Sequence, residues 1–210
     1  MNDLSYRICR LRAADGGARV LLEIEAHAAE EATRETLCLL AARLSKMPVV
    51  GAISPETVCE MRREHQICAA IDTGLRMLGS NGCSVKHLVC KLRARGVEEA
   101  VAREAVEVLC EKGYLREEDG ALREAERGLA KLWGDRRILA DLSAKGYQGS
   151  ALKYAAARLR AEDGAARCAL LMRKRRMGVP ADEAEARRLF ASLTRYGYTS
   201  GEIRAAMDLK

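Results

Sequence analysis

Leu92-Arg-Ala-Arg-Gly96-Val97, Leu142-Ser-Ala-Lys-Gly146-Tyr147 and Leu193-Thr-Arg-Tyr-Gly197-Tyr198 are one phrase written three times: a leucine, three residues, a glycine and an apolar residue. The glycines lie 50 and then 51 positions apart. A fixed period of that size marks a repeat architecture, in which one small unit recurs and each copy buries its apolar face on its neighbour. Glycine is the usual residue just past a helix end, so each phrase reads as the close of a helix.

Working outward, each phrase falls in the middle of three helices. In the first unit a helix over 55–78 opens on Ser54-Pro55-Glu56, with a capping hydroxyl before proline at the first helical position. It ends at Gly79-Ser-Asn-Gly82. Ser84 caps a middle helix that runs to Gly96, and a third spans about 98–112. The second unit repeats this with helices over 117–133 (ending at Gly134), from a capping Asp135 to Gly146, and over 149–160. The third has helices over 163–177 (ending at Gly178) and 181–195, then a last helix opened by the capping box Thr199-x-x-Glu202. The middle helices carry apolar spines: Val85, Leu88, Val89 and Leu92; Ile138, Leu139 and Leu142; Leu189, Phe190 and Leu193.

The first 54 residues differ. Tyr6–Arg12 and Arg19–Glu25 are β-rich runs joined by Asp15-Gly16-Gly17, which predicts a hairpin. Residues 29–46, with Leu37, Leu40 and Leu44, read as a helix. The expected fold is therefore mainly α: tandem three-helix repeats in an elongated array, with a small N-terminal β-hairpin plus helix extension. The expected parts are an extension over 1–54 and repeats over 55–116, 117–161 and 162–210.

Composition narrows the function. Of 210 residues, 49% are apolar but only 4% aromatic, so the core rests on Leu, Ala, Val, Ile and Met. No apolar run is long enough to span a membrane, and the first residues lack the pattern of a signal peptide, so a cytoplasmic protein is expected. The eight cysteines, with no Cys-x-x-Cys pair among them, do not read as a disulfide framework, and most of them read as small buried apolar residues. Cys83 and Cys90 flank His87 at helical spacing, but no second ligand pair follows, so no metal is expected. With three histidines, no phosphate-cradling loop and no nucleophile–base pattern, the chain does not read as an enzyme, and no cofactor is expected.

Charge is the informative signal. Residues 1–66 and 67–120 each carry net −1, whereas 121–160 hold nine basic against four acidic residues and 161–210 hold ten against seven. That asymmetry points to an anionic partner. The candidate contacts are Lys131, Arg136 and Arg137, then the run Arg173, Lys174, Arg175 and Arg176, then Arg187, Arg188 and Arg195. Arginines in the first turn of a helix, as at 136 and 137, oppose its dipole and so call for another reason. Trp133 and Tyr147 lie near them; they could stack on a base, but core packing is the simpler role.

With these phrases in view the chain resembles the RecX family of recombination regulators. Ser84 to Leu115 is similar to the family's first repeat, Gly134-Asp-Arg-Arg-Ile-Leu-Ala-Asp-Leu-Ser-Ala-Lys-Gly-Tyr147 to its second, and Arg187-Arg-Leu-Phe-Ala-Ser-Leu-Thr-Arg-Tyr-Gly-Tyr198 to its third. The resemblance covers 55–210 well and 1–54 loosely. Asp135 stands where members often have proline, and Gly120-Ala121-Leu122 where they have a phenylalanine. The resemblance implies a non-enzymatic regulator of recombination, DNA repair and the SOS response: a monomer that binds the RecA recombinase filament on single-stranded DNA and inhibits it. The other reading of the basic helices is an independent helical DNA-binding module. On the first reading, reversing Arg136 and Arg137 to Glu weakens filament binding while leaving melting near wild type.

Overall fold

The structure, a computed structural model, describes residues 5–28, 31–79, 83–178 and 180–208. The expected loop residues Ser80, Asn81 and Gly82 lie outside them. The chain forms two compact units, residues 1–77 with 89–114, and residues 78–88 with 115–210.

The first unit holds four antiparallel strands, β1 (Ser5–Ala14), β2 (Arg19–Ala28), β3 (Glu31–Leu40) and β4 (Gly51–Ile53), in the order β3-β2-β1-β4. The expected hairpin is β1–β2, turning through Asp15, Gly16 and Gly17, all at positive φ. The helix expected over 29–46 is instead β3 followed by a short 3-10 turn over Ala41–Arg43; residues 29 and 30 lie outside the described ones. The leucines at 37, 40 and 44 fit a helical period, but the residues that become buried are Leu37 and Leu39, two apart. They pair across β2 with Leu22 and Val20, on the face that also carries Ile24, Ile8 and Tyr6. A hairpin leaves that face too narrow to bury; a third strand, rich in threonine, completes it.

α1 (Pro55–Leu78) lays Val58 and Met61 on this core. Further along α1, Asp72 accepts two hydrogen bonds from Arg19 at 2.8 and 2.5 Å. The hydrogen bond from Arg19 holds the Asp72 carboxyl below the usual carboxylate range. A depressed carboxyl stabilises the fold above its unfolded pKa of about 4 and ceases to do so as pH falls through the folded value. Asp72→Asn should therefore cost about 1 kcal/mol at neutral pH, a modest figure because the carboxylate is 38% exposed. Thermal melts of wild type and variant should converge as the pH falls through the folded-state pKa.

The remaining described helices are α2 (Val85–Arg93), α3 (Glu99–Glu111), α4 (Glu117–Ala130), α5 (Asp135–Ala144), α6 (Gly149–Arg160), α7 (Gly164–Lys174), α8 (Glu183–Arg195) and α9 (Ser200–Asp208). None is long and apolar enough to cross a membrane. In the second unit α4, α5 and α6 share one core, built on Ala121, Ala125, Ile138, Leu142, Tyr147, Ala155 and Leu159. α7, α8 and α9 share another, built on Cys168, Leu171, Met172, Leu193, Tyr198 and Ile203. The Tyr147 ring lies so close to α4 that a Cβ on Gly120 would sit 2.8 Å from its hydroxyl oxygen.

The thrice-written phrase has one structure. Val97, Tyr147 and Tyr198 each donate their N–H back to the carbonyl of the phrase's leucine, at 3.2, 3.1 and 3.3 Å. The glycines take φ of +84°, +87° and +95°. This is the Schellman ending, whose accompanying apolar contact joins the leucine to the residue after the glycine. Leu92, Leu142 and Leu193 are accordingly inaccessible to solvent. Gly134 and Gly178 do not have the expected matching role. α4 and α7 end through Leu132 and Arg176, non-glycine residues at φ +56° and +53°, with Trp133 and Met177 making the return bonds. Ser84, Asp182 and Thr199 cap their helices with side-chain oxygens, and Glu202 returns the bond to Thr199 N–H.

Candidate functional site

Gly134, read from sequence as the end of a helix, is the residue before α5, with an ordinary φ of −74°. Its N–H donates to Tyr196 C=O at 2.8 Å, and Arg136 N–H donates to Gly197 C=O at 3.3 Å. The start of α5 thus docks on the closing turn of α8. The approach leaves no room: a Cβ on Gly134 would lie 2.3 Å from the Gly197 carbonyl. The start of α2 makes the corresponding contact with the closing turn of α5, where Ser84 Oγ donates to Lys145 C=O at 2.6 Å.

Asp135 does not cap α5, contrary to the sequence reading; no side chain does. Its carboxylate instead accepts from Nη2 of Arg167 on α7. Arg167 is 9% exposed, its guanidinium lies 5.9 Å from the Tyr198 ring, and its Nε and Nη1 have no hydrogen-bond partner among the described residues. Asp135→Ala would strand a buried cation and should cost about 3 kcal/mol, whereas Arg167→Met, which removes the charge with similar volume, should cost less. Denaturant melts of the two variants check the order.

This docking builds an alternating ladder of cations and rings. Lys131 Nζ lies 4.8 Å from the Trp133 ring centre, and Arg137 lies 4.2 Å from the same ring. Arg137 is also 5.4 Å from the Tyr196 ring, with Arg175 5.1 Å from that ring. Three cations from α4's end, α5 and α7's end are thereby held in a row by two aromatic rings, each contact contributing about 0.5–1 kcal/mol at an exposed site. Arg137 is the fixed rung, because its Cβ packs against Gly197. No rung has a carboxylate partner among the described residues.

Of the ten candidate residues, the structure brings three together: Lys131, Arg137 and Arg175. Arg136 is exposed and joins the junction through its backbone alone. The basic run is broken by geometry: Arg173 and Lys174 end α7, Arg175 folds onto Tyr196, and Arg176 turns into the left-handed region. Arg187 is paired with Glu183 on its own helix, while Arg188 and Arg195 are exposed on α8. Tyr147 is buried in the core, where burial pushes its hydroxyl up to about 12, so it offers no stacking surface. Trp133 packs partly into the α4–α6 core and carries cations over its ring. Tyr196 escaped sequence reading. Its signal is positional: the residue before the phrase's glycine is Arg95 and Lys145 in two copies and an aromatic in the third.

Such a ladder suits oxyanions. It presents N–H donors and unneutralised charge along a line, and its rings are occupied by cations rather than open to bases. Among the described residues no cluster of three or more His, Cys, Asp or Glu is arranged to hold a metal.

No family model and no curated protein sequence matches the chain. Crystal structures that share its fold include the following two. One, of a protein described as regulatory protein RecX, superposes with a TM-score of 0.70 at 16% identity, covering 97% of this chain and 99% of the other. The second, of RecX from Lactobacillus salivarius, gives a TM-score of 0.59 at 19% identity, covering 69% of this chain and 98% of the other.

Proposed function

We propose that this chain is a RecX-type regulator that binds the RecA filament on single-stranded DNA and restrains its activity. The observation that carries the proposal is the likeness of fold over nearly the whole of both chains, N-terminal sheet included, to a protein described as a RecX regulatory protein. The helices are read as tandem three-helix repeats over 55–116, 117–161 and 162–210. The shared ending at Gly96, Gly146 and Gly197 and the two corresponding docking contacts, Ser84 on Lys145 and Gly134 on Tyr196, support that reading.

On this reading the protein works by binding, without catalysis or cofactor, in the cytoplasm and as a monomer. Repeats let several modest contacts add along a filament, so no single site need be strong. The Lys131–Arg137–Arg175 row supplies a contact to an anionic surface, either the phosphates of the single strand or acidic side chains of the filament. Arg136, Arg173, Lys174, Arg176, Arg187, Arg188 and Arg195 add positive charge that attracts the same partner at longer range. Phosphate contacts would make binding weaken with salt.

The test is RecA-dependent ATP hydrolysis on single-stranded DNA, titrated with this protein. The rate should fall to a plateau as the protein approaches saturation. An unchanged rate at saturating protein would overturn the proposal.

A further inference from the structure

The N-terminal unit carries a second chemical feature, remote in sequence from the basic ladder. Cys38 on β3 and Cys68 on α1 are 30 positions apart, yet their Sγ atoms lie 3.6 Å from each other. The pair is pinned on both sides. Cys38 N–H donates to His65 Nδ1 at 3.0 Å, fixing β3 to α1 one turn before Cys68. Asp72, one turn beyond Cys68, is held by the two hydrogen bonds from Arg19, and the Arg19 guanidinium is a neighbour of both thiols. The two sulfurs differ in access: Cys38 is half-buried, whereas Cys68 is 1% exposed.

Two sulfurs in van der Waals contact need approach by only about 1.5 Å to reach disulfide length. We infer that Cys38 and Cys68 form a reversible disulfide when the protein meets a peroxide, making the β3–α1 contact a redox modification site.

The accessible sulfur reacts first. Burial and the neighbouring Cys38 push the Cys68 thiol up to about 12, which leaves Cys68 protonated and unreactive toward peroxide. The Cys38 sulfur attacks one oxygen of hydrogen peroxide. The O–O bond breaks, the departing hydroxide takes the Cys38 thiol proton as water, and Cys38 becomes a sulfenic acid. The Cys68 sulfur then attacks the Cys38 sulfur; the S–O bond breaks, the departing hydroxide takes the Cys68 proton as water, and the S–S bond forms. In sum two thiols are oxidised to one disulfide and one peroxide is reduced to two waters. A dithiol reductant reverses the step.

The bond closes a loop of about 30 residues across the N-terminal unit and so restricts its unfolded chain. The experiment treats the full-length protein with mild hydrogen peroxide, blocks remaining thiols with iodoacetamide, and analyses the digest by mass spectrometry beside a thermal melt. Expected are a Cys38–Cys68 linked peptide, its loss on dithiothreitol, and a rise in melting temperature of about 10 °C. A variant with Cys9→Ser, Cys59→Ser and Cys90→Ser, which removes exposed thiols, should retain all three. In Cys68→Ser the link should vanish and a dimedone adduct on Cys38 should take its place, a readout that reports on the first step even if the variant is less stable. Recovery of Cys38 and Cys68 as separate alkylated peptides, or a link only between different chains, would overturn the inference. None of these readouts depends on the filament, so they stand apart from the proposed function.

Discussion

Gly197→Ala should destabilise the protein by about 3–5 kcal/mol, among the largest effects a single methyl group can have. Two penalties coincide. At φ +95° a side chain is strained, which costs about 1–2 kcal/mol. The added Cβ would also lie 2.5 Å from both the Cβ and the backbone nitrogen of Arg137 and 2.8 Å from the Gly134 carbonyl oxygen. Those are backbone and near-backbone atoms at the start of α5, so relief requires the helix to move. Three other glycines grade the effect. Gly134→Ala has no backbone strain but meets the Gly197 carbonyl at 2.3 Å, and should be nearly as severe. Gly96→Ala carries the positive φ with open space around it, and should cost about 1 kcal/mol. Gly178→Ala has neither, and should change stability by less than about 0.5 kcal/mol. The order, read by thermal or denaturant melts, separates backbone strain from the close docking of α5 on α8. Equal costs at Gly96 and Gly197 would contradict that docking.

Reversing the two ends of the ladder, Lys131→Glu with Arg175→Glu, should lower affinity for the RecA filament by about 30- to 100-fold and flatten its dependence on salt. Each residue is exposed, and each loses only a ring contact of about 0.5–1 kcal/mol, so the helical signal and melting should stay close to wild type. The structure makes this a cleaner test than reversing Arg136 and Arg137. Arg137 is shared by both rings and packs on Gly197, so its replacement perturbs the junction as well as the charge. Arg136→Glu alone, at an exposed side chain off the ladder, should have the smaller effect on binding. An unchanged affinity in the double variant would mean that the ladder is a structural brace rather than a contact surface.

The parts of this fold legible in the sequence are those fixed by local chemistry. A leucine, a glycine and a following apolar residue specify the closing turn at 92–97, 142–147 and 193–198, because the bonds involved join residues five apart. Ser84 and Thr199 with Glu202 likewise declare the helix starts they cap. What escaped is set by distant partners. β3 was hidden because Leu37, Leu40 and Leu44 satisfy a helical period, and only the apolar face of β2 makes the two-residue spacing of Leu37 and Leu39 the one that counts. Gly134 resembles a helix end by composition, but its small size serves a backbone from another helix, and Leu132 takes the strained turn instead. Asp135 looks like a cap, but Arg167, thirty-two residues later, claims its carboxylate.

The site was legible in the same uneven way. Charge counts located the basic half of the chain and named Lys131, Arg137 and Arg175 among ten candidates. They could not single out these three, because the selection is made by Trp133 and Tyr196, which share Arg137 only when α5 docks on the turn after α8. The run 173–176 looks uniform as sequence, yet the end of α7 sends its members in different directions.

The most direct test of the account is equilibrium binding of the fluorescently labelled full-length protein to RecA filaments assembled on single-stranded DNA, measured beside the bare single strand and bare duplex at the same salt. Saturable binding to the filament, tighter than to either naked DNA, is expected. Binding to duplex as tight as to the filament, or none to the filament at all, would contradict it; the former would favour an independent DNA-binding module.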